Sequence, residues 1–227
     1  MDGVRGRWVK RFAAVAAALG WTALAIQLYL TVNMSMASGK GRLAGLVTYF
    51  SFFTILTNIL VAMALTAPLV RGSSRITAFF SRPSVNTGIA TSIAVGGIAY
   101  VLLLRHVWDP KGLQLVADVL LHYVMPVLYI VYWWLAVPKG DLRRADVWYW
   151  MLYPVAYWLF AMVRGALTGF YPYHFIDAGT LGYTRAFANA VGVLLGFVAV
   201  ALLLVAAGRL QGAATLSTSS QSERSGR

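Results

Sequence analysis

Residues 113–137 read LQLVADVLLHYVMPVLYIVYWWLAV. Coiled at 1.5 Å per residue, the run is about 37 Å long, enough to cross the roughly 30 Å hydrocarbon core of a bilayer. Its only carboxylate is Asp118 and its only imidazole is His122, both in its first half. Five more stretches have comparable length and apolarity: Phe12 to Val32, Leu46 to Leu69, Asn86 to Leu104, Val147 to Leu167 and Ala186 to Ala207. None alternates with period two, and lipid leaves no partner for backbone outside a helix or a closed barrel, so the expected fold is all-α, a polytopic bundle of six transmembrane helices.

The composition agrees. Of 227 residues, 59% are hydrophobic and 11% charged, too apolar for an ordinary soluble domain. The net charge of +12 does not point to nucleic acid, because the basic residues gather in the segments between apolar runs, where they orient a membrane protein. Arg5, Arg7, Lys10, Arg11, Arg71, Arg75, Arg82, Lys139, Arg143, Arg144, Arg209, Arg224 and Arg227 fall on one side; Lys40, Arg42, Arg105, Lys111, Arg164 and Arg185 fall on the other. The richer side is expected to be cytoplasmic, with both termini inside, in a bacterial inner membrane. The chain then divides into a basic amino terminus (1–11), a transmembrane domain (12–208) and a polar tail (209–227) expected to be disordered. With no cysteine, thiolate metal sites and a cysteine nucleophile are excluded, and three scattered histidines form no metal spacing, so neither a metal nor another cofactor is expected.

Ionisable groups at membrane depth are costly and mark candidate sites. Asp118 and His122 are four apart and share a helix face. His122 lies about 13 Å along the helix from Leu113, and Thr54, in YFSFFTILTNILVA (49–62), about 12 Å from Leu46. Thr54 and Asn58 form a second i, i+4 pair at matching depth, able to meet His122 if the two helices touch. Arg164 lies one turn from the end of the fifth stretch, where an ion pair with Asp118 would neutralise both charges. The aromatic run that follows suggests an ordered cap of Tyr171, Pro172, Tyr173, Phe175 and Asp177, with His174 exposed on it. Gly192/Gly196 and Gly165/Gly169 are GxxxG pairs, read as packing seams within the chain.

Three runs in this order, FFTILTN (52–58), LLHYVMP (120–126) and RGALTGFYPYHFID (164–177), resemble the bacterial "Pr-six-Pr" integral membrane proteins. That group is similar to the eukaryotic androgen-induced and FAR-type family of membrane threonine hydrolases. The resemblance implies a hydrolase of fatty acid esters of hydroxy fatty acids, with Thr54 as nucleophile and His122 as its base. Asp118 would orient the imidazole, and Asn58 or Arg164 would stabilise the oxyanion. The partners expected are membrane lipids and a long-chain lipid ester. Where the likeness would put an Asp-Trp pair, the chain has Tyr132 and Trp133. The residues themselves leave two other readings open: a non-enzymatic polar network that binds lipid or fixes helix register, and a small transporter relaying protons through Asp118 and His122.

Overall fold

The computed structural model describes the backbone of residues 3–72, 74–140 and 142–225, and side chains over 6–72, 74–140 and 142–211. Among these residues every regular element is helical. Four helices are long and apolar enough to cross a membrane: Gly6–Ala37, Pro83–Leu104, Leu113–Ala136 and Tyr183–Gln211. The first belongs to α1 (Gly3–Ala37). The second joins α5 (Pro83–Ala99) to a π-helical turn, Tyr100–Leu104. The third runs without a break through α6 (Leu113–Val119), a second π-helical turn (Leu120–Val124) and α7 (Met125–Ala136). The fourth belongs to α10 (Tyr183–Ser225), which continues helically through the segment read from sequence as a tail.

The fifth expected crossing is α8 (Asp146–Thr168), 23 residues long. It is long enough to span, but Trp148, Tyr149, Trp150, Tyr153, Tyr157, Trp158 and Arg164 dilute its apolar character, and it does not join the four.

The second expected crossing is two helices. α2 (Gly41–Tyr49) and α3 (Phe53–Thr66) meet at 71° across a short break, and count as a fifth span only if taken together. Phe52 is extended there (φ −91°, ψ 128°). Backbone freed inside an apolar bundle needs partners, and it has them. The buried Tyr157 hydroxyl donates to Ser51 O at 2.9 Å, and Tyr173 Oη accepts the Thr54 N–H at 3.2 Å. Counting depth along one straight helix from Leu46 therefore does not locate Thr54, which stands in the first turn of a new helix.

The wide turn at 120–124 has a cause in the sequence. Pro126 has no N–H to give the carbonyl of His122, so the regular ladder cannot run through this point. The Met125 N–H instead reaches back five residues to Leu120 O. Gly97 lies against the Pro126 ring, which a Cβ there would meet at 3.2 Å. These two helices are thus held close where both carry π-helical turns.

The glycine pairs divide. Gly165 packs under Tyr171, whose ring would stand 2.1 Å from an added Cβ. Gly169 ends α8 in the left-handed region (φ 71°), so it terminates a helix rather than continuing a seam. At Gly192 and Gly196 an added Cβ would meet nothing within 4 Å. The seam expected there is open, because no other helix covers that face of α10.

Candidate functional site

The carboxyl of Asp118, 3% exposed, is held by a residue that sequence reading passed over. Tyr100 donates its hydroxyl to Asp118 Oδ2 at 2.5 Å, and its ring stacks on that of His122 with centroids 3.9 Å apart and planes 17° apart. Tyr100 opens one π-helical turn and His122 sits in the middle of the other, so the two irregular turns bring these rings together. π-Helical turns of this kind concentrate at functional sites.

His122 Nδ1 lies 3.0 Å from the backbone carbonyl of Asp118 and 3.1 Å from its Oδ1. The N–H is aligned with the carbonyl, so Oδ1 is buried without an aligned donor. A carbonyl can only accept, so Nδ1 carries the hydrogen, and the neutral ring keeps its lone pair on Nε2. Nε2 has no hydrogen-bond partner among the described residues, which is the state required of a general base.

Thr54 is at the amino end of α3, where unpaired backbone N–H groups favour developing negative charge. Its hydroxyl lies 3.3 Å from Tyr173 Oη. Tyr173 is positioned by stacking on Phe175 at 5.4 Å and by edge contact with Phe52. No hydrogen bond joins Thr54 to His122. What they share is a cavity of about 270 Å³, lined by both together with Asp118, Tyr100, Gln27, Gln114, Trp108, Pro172, Tyr173 and His174. Gln114 Nε2 donates to Gln27 Oε1 at 2.8 Å, closing the cavity on the α1 side.

The supporting residues expected from sequence stand elsewhere. Asn58 is fully buried; its Nδ2 donates to Thr54 O at 2.9 Å and across to Leu121 O at 3.3 Å. It pins α3 to the His122 turn and does not line the cavity. Arg164 is also outside the lining. Its guanidinium lies 4.5 Å over the Phe170 ring, and the Asp118 carboxyl it was expected to neutralise is engaged by Tyr100 and His122 instead. In the cap, Tyr171 covers Gly165, and Asp177 caps the short α9 (Ala178–Leu181) by accepting from Gly179 and Thr180 N–H. Asn189 ties Phe175 O to α10 at 2.8 Å. His174 is exposed, and it belongs to the cavity lining.

Tyr100, Gln27 and Gln114 left little signal in the sequence. A tyrosine near a helix end reads as part of an interfacial aromatic belt, and two glutamines 87 positions apart announce no contact. Comparison with protein families, with curated proteins and with solved structures gives no match. The functional reading therefore rests on this geometry.

Proposed function

We propose that this protein is a membrane lipid-ester hydrolase of six spans, with both termini cytoplasmic in a bacterial inner membrane. The bent α2–α3 pair would form one crossing and α8 another, and the uneven distribution of basic residues supports the orientation. Reporter fusions near Gly140 should then read cytoplasmic and fusions near Gly179 external. Both reading on one side would remove a crossing.

The observation that carries the enzymatic reading is that Thr54 and the Asp118–His122 pair line the same cavity. Turning the Thr54 side chain about one bond, away from Tyr173, would point its hydroxyl into that space. His122 Nε2 takes the proton as Oγ1 attacks the ester carbonyl, and the imidazolium returns it to the departing alcohol, leaving an acyl-threonine. A water, deprotonated by the same nitrogen, then releases the acid. Asp118 holds the tautomer. The N–H groups at the start of α3 face the developing oxyanion, a role for which Asn58 and Arg164 are badly sited. Purified protein should hydrolyse long-chain esters, branched hydroxy fatty acid esters among them. Thr54→Ser should keep measurable turnover and Thr54→Val should lose it. Equal turnover by the Thr54→Val protein would sink the threonine mechanism.

One observation favours a second reading. The Thr54 hydroxyl is already engaged with Tyr173 and the His122 Nδ1 with Asp118, so the same residues could serve as a lipid-binding polar network without chemistry. Saturable lipid binding with no hydrolysis by the parent protein would decide for it.

A further inference from the structure

Behind Thr54, on the side away from His122, is a second and apolar space of about 70 Å³. Its walls include Phe53, Val95, Ala99, Trp158, Val193 and Phe197. It shares Thr54, Leu104 and Tyr173 with the polar cavity, so these three residues are the partition between the two. Outside it, between α5 and α10, runs a groove of about 420 Å³ on which Ile98, Leu102, Gly192 and Gly196 lie. Groove and chamber have Val95, Ala99, Phe175 and Val193 in common. Three spaces thus follow one another from the flank of the bundle to the polar site, each divided from the next by a single layer of side chains.

We propose that the groove and the apolar chamber are a binding site for one linear acyl chain, which enters sideways from the bilayer between α5 and α10 and ends with its carbonyl at Thr54. This deepens the hydrolase reading by assigning the chain's path, and it also stands as a lipid site if no hydrolysis occurs.

Four features select this occupant. The chamber's lining offers water almost nothing to bond, and an apolar cavity of this kind stays dry. The glycines on the path do not serve helix packing: at Gly96, Gly192 and Gly196 an added Cβ meets nothing within 4 Å, whereas Gly88 is tight against Trp150, at 2.7 Å. Small residues with no helix against them leave a furrow that a methylene chain fills. Third, Trp158 Nε1 is buried without an acceptor, and Trp158 lines the chamber, so an ester or amide oxygen arriving there gives a stranded donor its partner. Finally, the polarity gradient is the one a lipid carries, hydrocarbon outward and carbonyl inward. A second copy of the chain packing through Gly192 and Gly196 would cover the furrow but would leave the chamber and Trp158 unfilled.

The test is photo-crosslinking in phosphatidylcholine nanodiscs with the N-methyl amide of a palmitic acid bearing a mid-chain diazirine, which resists hydrolysis and so reports binding alone. Phe197 is 3% exposed, while Leu195 and Leu203 on the same helix are 64% and 67% exposed. Label mapped to Phe197 in addition to the exposed leucines is the expected result. Gly96→Leu and Gly196→Leu, each adding a side chain where there is room, should remove the Phe197 label and leave that on Leu203. Label on Leu195 and Leu203 with none on Phe197 overturns the proposal, as does a Phe197 label that both leucine variants retain. Loss of a dimer in the Gly196→Leu protein, with Phe197 unlabelled in the parent, would instead make the furrow a subunit interface. A labelled Phe197 in a protein that hydrolyses no ester keeps this site and removes the hydrolase reading; hydrolysis without the label removes only the route.

Discussion

The two ends of the bundle use buried polar residues in opposite ways. At one end, around Trp133, polar side chains are closed on one another. Tyr129 donates to Asn86 Oδ1 at 2.9 Å, Trp133 Nε1 to Thr87 Oγ1 at 2.9 Å and Trp150 Nε1 to Ser84 Oγ at 3.2 Å. Asn86 Nδ2 spends itself on the carbonyls of Phe80 and Arg82. Trp133 and Tyr129 are at most 1% exposed. At the other end, around His122, the polar groups border two spaces, and buried acceptors at Asn58 Oδ1 and Asp118 Oδ1 lack donors. Polar residues deep in an apolar chain are therefore no guide to function by themselves. Unspent hydrogen-bonding capacity beside a void distinguishes the hollow end from the closed one.

The largest effect that would break this contrast concerns His122. His122→Ala should lower ester turnover by roughly 10²–10⁴-fold, the usual worth of a positioned general base. The thermal midpoint should change little, because the ring is bonded only within its own turn. A variant that loses stability but keeps its turnover per folded molecule would make His122 a packing residue, like those at the closed end.

The reciprocal substitution belongs at the closed end. Tyr129→Phe leaves the Asn86 oxygen without its donor. It should cost about 1–2 kcal/mol, between the average interhelical hydrogen bond in membranes and the full penalty of an orphaned buried acceptor. Unfolding of the purified protein in detergent measures this, and turnover per folded molecule should be unaltered. A fall in turnover matching that of His122→Ala would erase the distinction between the ends.

Tyr100→Phe sharpens the comparison inside the hollow end. The ring still stacks on His122, but Asp118 Oδ2 loses its donor. One such bond has a net worth of about 1 kcal/mol, so turnover should drop about fivefold. The pH–rate profile should shift as well, since the carboxyl next to the imidazole is no longer held. An unchanged profile with lower stability alone would make Tyr100 a purely structural contact.

How much of this could be read from the sequence follows from the range of each signal. Apolar runs are local, and Asn86 to Leu104, Leu113 to Val137 and Ala186 to Ala207 all fall on long helices within a few residues of their expected ends. The break at Phe50–Phe52 was hidden, because Phe, Ser and Phe continue an apolar run. The donor that satisfies Ser51 O is Tyr157, 106 positions away. Asp118 and His122 were legible as a pair through i, i+4 spacing. Tyr100 was not, since its contact with them depends on two π-helical turns placed opposite each other. Gly192 and Gly196 were legible as a motif, but a motif does not say whether another helix lies against it.

The smallest expected effect tests whether the closed end is closed in charge as well as in hydrogen bonds. Lys139, between α7 and α8, is 7% exposed. Its Nζ donates to Trp134 O at 2.9 Å and Val137 O at 2.8 Å, and lies 4.7 Å from the centre of the Trp133 ring. No carboxylate pairs with it among the described residues, and burial lowers its pKa from 10.5 to about 8. In the unfolded chain the amine titrates near its ordinary value. Between pH 8 and 10.5 the unfolded state thus holds a proton that the folded state has released, and stability rises with pH across that window. Below pH 8 both states are charged, and the folded protein bears the full cost of the buried ammonium. Lys139→Met keeps an unbranched stem against Gly208, which the lysine Cβ would meet at 3.2 Å from an added Cβ, but it cannot titrate. The thermal midpoint of the parent protein should climb from pH 8 to pH 10 more steeply than that of the variant, with turnover the same in both at pH 7. Parallel midpoint curves would mean that the ammonium is neutralised by some other group, leaving the closed end with no uncompensated charge.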